Sequence, residues 1–199
     1  MLFRSVNPRD LGVRLVDVNN DGLADLIKAK EGETRFVYLN NGTGWNKSNW
    51  IFPEDIVFEV ATISRDNGIR FADINNDGYI DFVRGYETET RDVYLNNKNG
   101  WTLQDWTFPT DIVVSSGSQE DGVRLVDVNG DGLVDVLKAR ATKSKEAYIN
   151  NGTGWDSSTD WLPPTHILGS SAEDHAVRFL DLNGDRKSTR LNSSHLVIS

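Results

Sequence analysis

The chain has 199 residues, is 38% hydrophobic and 26% charged, carries a net charge of −9 and contains no cysteine. That balance suits a globular chain rather than a disordered one, and acidity without a basic stripe argues against nucleic acid and anionic lipid as partners. The lack of cysteine excludes disulfides, thiolate zinc sites and cysteine nucleophiles, and no stretch approaches the ~18 apolar residues of a membrane-inserted helix.

The first ten residues, MLFRSVNPRD, lack the apolar core of a signal peptide, so an export signal, if the protein is exported, is expected outside this chain. A repeat then begins. Residues 12–25 read GVRLVDVNNDGLAD, residues 68–81 GIRFADINNDGYID and residues 122–135 GVRLVDVNGDGLVD, with a fourth start, AVRFLDLNGD, over 176–185. Their first aspartates, Asp17, Asp73, Asp127 and Asp181, stand 56, 54 and 54 residues apart. A second motif follows in fixed register: Asn40-Asn41-Gly42-Thr43-Gly44-Trp45 returns as Asn150 to Trp155, with the variant Asn96-Asn97-Lys98-Asn99-Gly100-Trp101 between them. Further tryptophans (Trp50, Trp106, Trp161) and prolines (Pro53, Pro109, Pro163) complete each copy. This register divides the chain into repeats over 1–54, 55–109 and 110–163, a partial fourth over 164–185 and a non-repeat tail over 186–199.

Between these landmarks the segments VRLVDV, LADLIKA and RFVYLN are short, rich in β-branched and aromatic residues and bounded by Gly, Asn and Asp, which predicts strands. LADLIKA is apolar on both faces, with Leu23 and Ile27 on one and Ala24 and Leu26 on the other, so its sheet must be covered twice. Radial stacking of small sheets does this. About four strands fit one repeat, so the expected fold is all-β, with β-propeller blades of about four antiparallel strands in an incomplete propeller of three full repeats and part of a fourth. A β-sandwich is the competing arrangement.

Each complete loop reads D-x-N-x-D-G-x-x-D. The candidate metal ligands are Asp17, Asn19, Asp21, the Leu23 carbonyl and Asp25; Asp73, Asn75, Asp77, the Tyr79 carbonyl and Asp81; and Asp127, Asn129, Asp131, the Leu133 carbonyl and Asp135. Glycine at the sixth position permits the sharp bend. An all-oxygen donor set favours Ca²⁺ over zinc or copper, which prefer His or Cys, so about three Ca²⁺ sites are expected. A fourth, at Asp181, Asn183 and Asp185, is incomplete, because Arg186 and Thr189 stand where Gly and Asp belong. An EF-hand would place Glu at position 12 between two helices, whereas Lys28, Arg84 and Lys138 occupy it here. A turn that merely favours Asn, Asp and Gly is the competing account of the loops.

These loops, their glycine and the ~54-residue period resemble the FG-GAP/VCBS repeat family, over about residues 10–185, although the FG-GAP dipeptides themselves are missing. That family includes the seven-bladed propeller of integrin α chains, related fungal lectins, and propellers of bacterial insecticidal toxin and RHS-type proteins. The resemblance implies a calcium-stabilised propeller in a secreted or surface protein, used for binding a protein or glycan rather than for catalysis. A carbohydrate-binding lectin propeller is the alternative function, and the non-catalytic propeller of a toxin or large enzyme a more distant one.

Other residues bear on these alternatives. Arg14, Arg70, Arg124 and Arg178 precede each loop by three and are expected to hold loop carboxylates or backbone carbonyls rather than a ligand. The tryptophans are expected to pack between blades, with stacking on sugars as the competing role. Asn41, Asn46 and Asn151 head glycosylation-type triplets. No enzyme is expected: His166, His175 and His195 occupy no repeating positions, and Glu31, Glu33, Glu87 and Glu89 fall at expected hairpin tips. The tail RKSTRLNSSHLVIS has no relation to the repeat; it is expected to be an artefact or a short C-terminal extension, and the chain a piece of a larger parent.

Overall fold

The computed structural model describes residues 11–60, 65–86, 90–110, 113–114, 119–171 and 173–179. The fourth loop at Asp181, Asn183 and Asp185, the tail, His195, Glu87 and Glu89 lie outside the described residues. Among those described there is no helix; sixteen strands occur.

Three antiparallel meanders repeat. The first is β1 (Val13–Val16), β2 (Asp25–Lys28), β3 (Phe36–Asn40) and β4 (Trp45–Lys47). A short hairpin of β5 (Glu59–Val60) and β6 (Arg65–Asp66) leads to the second, formed by β7 (Ile69–Ala72), β8 (Asp81–Tyr86), β9 (Thr90–Asn96) and β10 (Trp101–Leu103). A matching hairpin, β11 (Val113–Val114) and β12 (Gln119–Glu120), joins this second sheet through a parallel bridge from Val113 to Tyr86 and extends it to six strands. The third meander is β13 (Val123–Val126), β14 (Asp135–Lys138), β15 (Glu146–Asn150) and β16 (Trp155–Ser157). Each meander is a propeller blade in form, and among the described residues the blades do not close into a ring.

Register explains why the strands are apolar on both faces. One row across each sheet pairs Leu15 with Leu26 and Tyr38, Phe71 with Phe82 and Tyr94, or Leu125 with Val136 and Tyr148. The alternate row pairs Ile27 with Val37, Val83 with Val93, or Leu137 with Ala147. Each interface joins the second row of one blade to the first row of the next. Ile27 and Val37 share a core with Phe82, Tyr94 and Trp101, and Val83 and Val93 share one with Val136, Leu125 and Tyr148. Leu137 and Ala147 repeat the pattern against Phe179 at the start of the fourth copy. The linker side chains Phe52, Ile56 and Phe58 fill the first interface. Among the described residues no blade covers the first row of the first blade, and Leu15 there is 50% exposed.

Candidate functional site

The three aspartate loops join β1 to β2, β7 to β8 and β13 to β14, so the blade architecture brings them to the same end of successive sheets. Each begins as a turn stapled by its own side chains. Asp17 accepts from the backbone N–H of Asp21 and Gly22 at 3.2 and 2.9 Å, and Asp21 accepts from Leu23 at 2.8 Å. Asp73 and Asp77 repeat this with Asp77, Gly78 and Tyr79 at 3.0, 2.9 and 2.9 Å. In the third loop Asp127 accepts from Gly130 and Gly132 at 2.7 and 2.9 Å. The Asn19, Asn75 and Asn129 side chains donate to the carboxylates of Asp21, Asp77 and Asp131. The chain turns through left-handed backbone at position 4 (Asn20 φ 59°, Asn76 φ 58°, Gly130 φ 82°) and again at the glycine (Gly22 φ 86°, Gly78 φ 89°, Gly132 φ 92°). A side chain at that glycine would be strained.

Position 9 behaves differently. Asp25, Asp81 and Asp135 are fully buried at the start of the second strand of each blade. Each uses one oxygen to receive the N–H of the residue just after the first loop aspartate: Val18 at 2.9 Å, Ile74 at 2.8 Å and Val128 at 2.9 Å. The other oxygen receives the N–H of Asn40, Asn96 or Asn150 at 2.8, 2.7 and 2.8 Å. Burial pushes the Asp81 carboxyl up to about 7; the two N–H donors oppose that, and the charges of Asp77 and Asp73 add to it. Burial likewise raises Asp25 and Asp135, again with a contribution from the two other carboxylates of the same loop. Asp73 is raised first by burial, with Asp77 contributing.

The donor set fits a hard divalent cation. Its side chains are all carboxylate or amide oxygens, each with a lone pair beyond the N–H it already accepts, and the three carboxylates of a loop repel one another. Among the described residues, no three acidic or histidine side chains converge as a ready-made cage. The loops are closed by their own N–H groups, with position 9 turned into the blade.

The cations at position 12 are structural. Lys28 pairs with Glu33 at 2.5 Å, Arg84 with Asp55 at 3.1 Å and with Asp92, and Lys138 with the buried Asp121 at 2.9 Å. The arginines before the loops fold back on the carbonyl of the preceding residue: Arg14 on Val13, Arg70 on Ile69, Arg124 on Val123 and Arg178 on Val177. Trp101 and Trp155 lie at the blade interfaces with their indole N–H on Ile80 and Val134, each at 2.9 Å, and pack edge-on against Phe52 and Phe108. Trp45 and Trp161 are 48% and 42% exposed.

The family of FG-GAP-like repeats matches residues 17–84, 73–138 and 127–188, each match running from one aspartate loop into the next repeat. The chain belongs to the FG-GAP-like repeat family. A T-cell immunomodulatory protein homolog of Plasmodium yoelii yoelii is 28% identical over 148 residues, covering 65% of this chain and 20% of that protein. Among solved structures, that of an Agrocybe aegerita lectin, described for specific recognition of non-reducing terminal N-acetylglucosamine, aligns at 25% identity with a TM-score of 0.49, over 72% of this chain and 36% of the lectin. This FG-GAP-like chain thus spans only a minor part of either relative.

The side chains that sequence reading left unassigned are Asn40, Asn96 and Asn150. They head the second motif and follow position 9 at a constant 15 residues. That constancy was the available signal.

Proposed function

We propose that this chain is a non-catalytic, calcium-binding propeller module, acting as a ligand-binding scaffold in a larger surface or secreted protein. The observation that carries the calcium reading is the threefold recurrence of a loop whose two outer carboxylates act electrostatically on a third that is fully buried. Among the described residues these carboxylates accept backbone N–H and asparagine amide groups rather than lysine or arginine side chains. A divalent cation would neutralise that charge with the oxygens of Asp17, Asn19 and Asp21 and their counterparts. It would also stabilise the folded state by mass action. In the test, thermal stability is followed with CaCl₂, MgCl₂ and EDTA, and bound calcium is counted by equilibrium dialysis. The expected result is about three ions per chain and a higher melting temperature in calcium. Identical melting curves in calcium and EDTA, with no bound ion, would refute it.

Protein or glycan is the ligand class for the scaffold. The exposed indoles of Trp45 and Trp161 favour testing glycans first, since an aromatic face open to solvent is what stacks on a sugar ring. Trp101, buried to 7% exposure, is part of the interface. Glycan-array binding that is lost in Trp45→Ala or Trp161→Ala would select the lectin reading, and binding unaffected by both would exclude these indoles.

A further inference from the structure

Successive loops are joined by one continuous run of hydrogen bonds. Val18 N–H donates to Asp25, and the Val18 carbonyl accepts from the Asn96 side-chain amide of the next blade at 2.9 Å. The Asn96 backbone N–H donates to Asp81, which also accepts from Ile74 N–H. The Ile74 carbonyl then accepts from the Asn150 side-chain amide of the third blade at 3.0 Å, and Asn150 N–H donates to Asp135, which accepts from Val128. Both amides also reach back to their own loop, at the Ile80 and Val134 carbonyls, each at 3.2 Å. Asp25, Asp81 and Asp135 are fully buried, and Asn96 and Asn150 are 5% and 2% exposed, so water competes little for these bonds. The loops also touch directly. A Cβ built on Gly78 would lie 3.1 Å from the Asn20 side-chain nitrogen, and one on Gly132 would lie 2.8 Å from that of Asn76.

We propose that Asn96 and Asn150 are positioning residues that lock each aspartate loop to the loop of the preceding blade, so that a cation ordering one loop also orders its neighbour. The proposal rests on the calcium reading of the loops. Each amide donates to two carbonyls on different blades, one after position 1 of the preceding loop and one just before position 9 of its own. Any adjustment of one loop on taking a cation moves an acceptor of that shared amide. By linkage, the influence between neighbouring loops runs equally in both directions. Asn40 provides an internal control, because its amide donates to Ala24 at 3.1 Å, within its own blade.

The test is a CaCl₂ titration of the ¹⁵N-labelled chain, reading the backbone amides of Gly22, Gly78 and Gly132, each of which donates to the first aspartate of its loop. Asn96→Ala is expected to raise the calcium midpoint of Gly22 as well as Gly78, by about fivefold, the worth of one hydrogen bond. The Gly22 response would change although no residue of the first blade is altered. Asn150→Ala should do the same to Gly78 and Gly132, and Asn40→Ala, which leaves both interblade amides in place, should shift Gly22 most and Gly78 less. A shift confined to Gly78 in Asn96→Ala, with Gly22 at its wild-type midpoint, overturns the proposal. If no wild-type glycine responds to calcium, the calcium reading fails instead. The positioning role is then decided by metal-free hydrogen exchange: faster exchange of Val18 N–H in Asn96→Ala and of Ile74 N–H in Asn150→Ala supports it, and unchanged exchange overturns it. Should the alanine variants not fold, Asn96→Ser and Asn150→Ser are read in the same way.

Discussion

Phe82 tests the blade-on-blade packing most directly. Its ring is fully buried at the first interface and lies 4.6 Å from Tyr94 in a stacked pair, 5.4 Å from Phe52, 5.8 Å from Phe71 and 6.0 Å from Trp101. Truncation to alanine removes a ring that neighbours from two blades and a linker surround, and such a cavity costs about 3–5 kcal/mol. The aromatic contacts place Phe82→Ala toward the upper part of that range, about 4 kcal/mol. The same sheet position in the first blade is Leu26, half-buried on the face that no blade among the described residues covers. Leu26→Ala loses only part of its apolar contact and should cost about 1 kcal/mol. Urea denaturation of both variants, followed by tryptophan fluorescence and far-ultraviolet circular dichroism, gives the comparison. Equal losses at the two positions would refute the argument that the first row of each blade is stabilised by the blade before it.

The remaining predictions concern single side chains. Glu33 sits between Lys28 and Lys30, whose hydrogen bonds hold its carboxyl well below the ordinary 4.5, at about 2. Its contribution to stability is present above the unfolded-state value and is lost as pH falls through about 2, so Glu33→Gln should flatten the acid limb of a melting-temperature profile relative to the parent chain. Gly78→Ala places a Cβ at φ 89° and 3.1 Å from Asn20, and should lower stability by about 1–2 kcal/mol in chemical denaturation; no change would mean the loop relaxes freely. Asp81→Asn removes a buried charge but sets an NH₂ group against one of two N–H donors, Ile74 or Asn96. An unmet buried donor costs about 1–3 kcal/mol, so the variant should be less stable at neutral pH despite losing the charge, and a more stable variant would contradict the bracing role.

Much of this molecule was legible in its sequence, for a physical reason: a repeat is an internal alignment. VRLVDV, LADLIKA and RFVYLN became β1, β2 and β3. The second blade is covered on both faces, as two-sided apolarity implied. In the first blade, where LADLIKA lies, Ile27 is buried whereas Leu15, beside Leu26, is 50% exposed among the described residues. The stapled turns of the aspartate loops were legible too, since Asp, Asn and Gly act there on neighbours only two to five residues away. What spacing could not show was partnership across blades. Asn96 meets Val18 across 78 residues and Asn150 meets Ile74 across 76, and nothing local distinguishes these asparagines from ordinary turn residues. The small hairpins β5–β6 and β11–β12 were also hidden, because two-residue strands carry no periodicity.

The position-9 aspartate connects the fold to the proposed chemistry. A carboxylate placed only to bind a cation would do best in an open, flexible loop, where its oxygens could turn toward the ion. A carboxylate placed only to brace a blade accepts both N–H groups as the anion, while burial opposes that charge. Asp81 is buried, accepts two backbone N–H groups and feels the charges of Asp73 and Asp77. Neutralising those two neighbours would therefore strengthen the brace even if the cation never touched Asp81 itself. In such an arrangement stability and cation occupancy are one property of the blade. The hydrogen bonds that tie loop to strand are the same ones that continue, through Asn96 and Asn150, into the blade alongside.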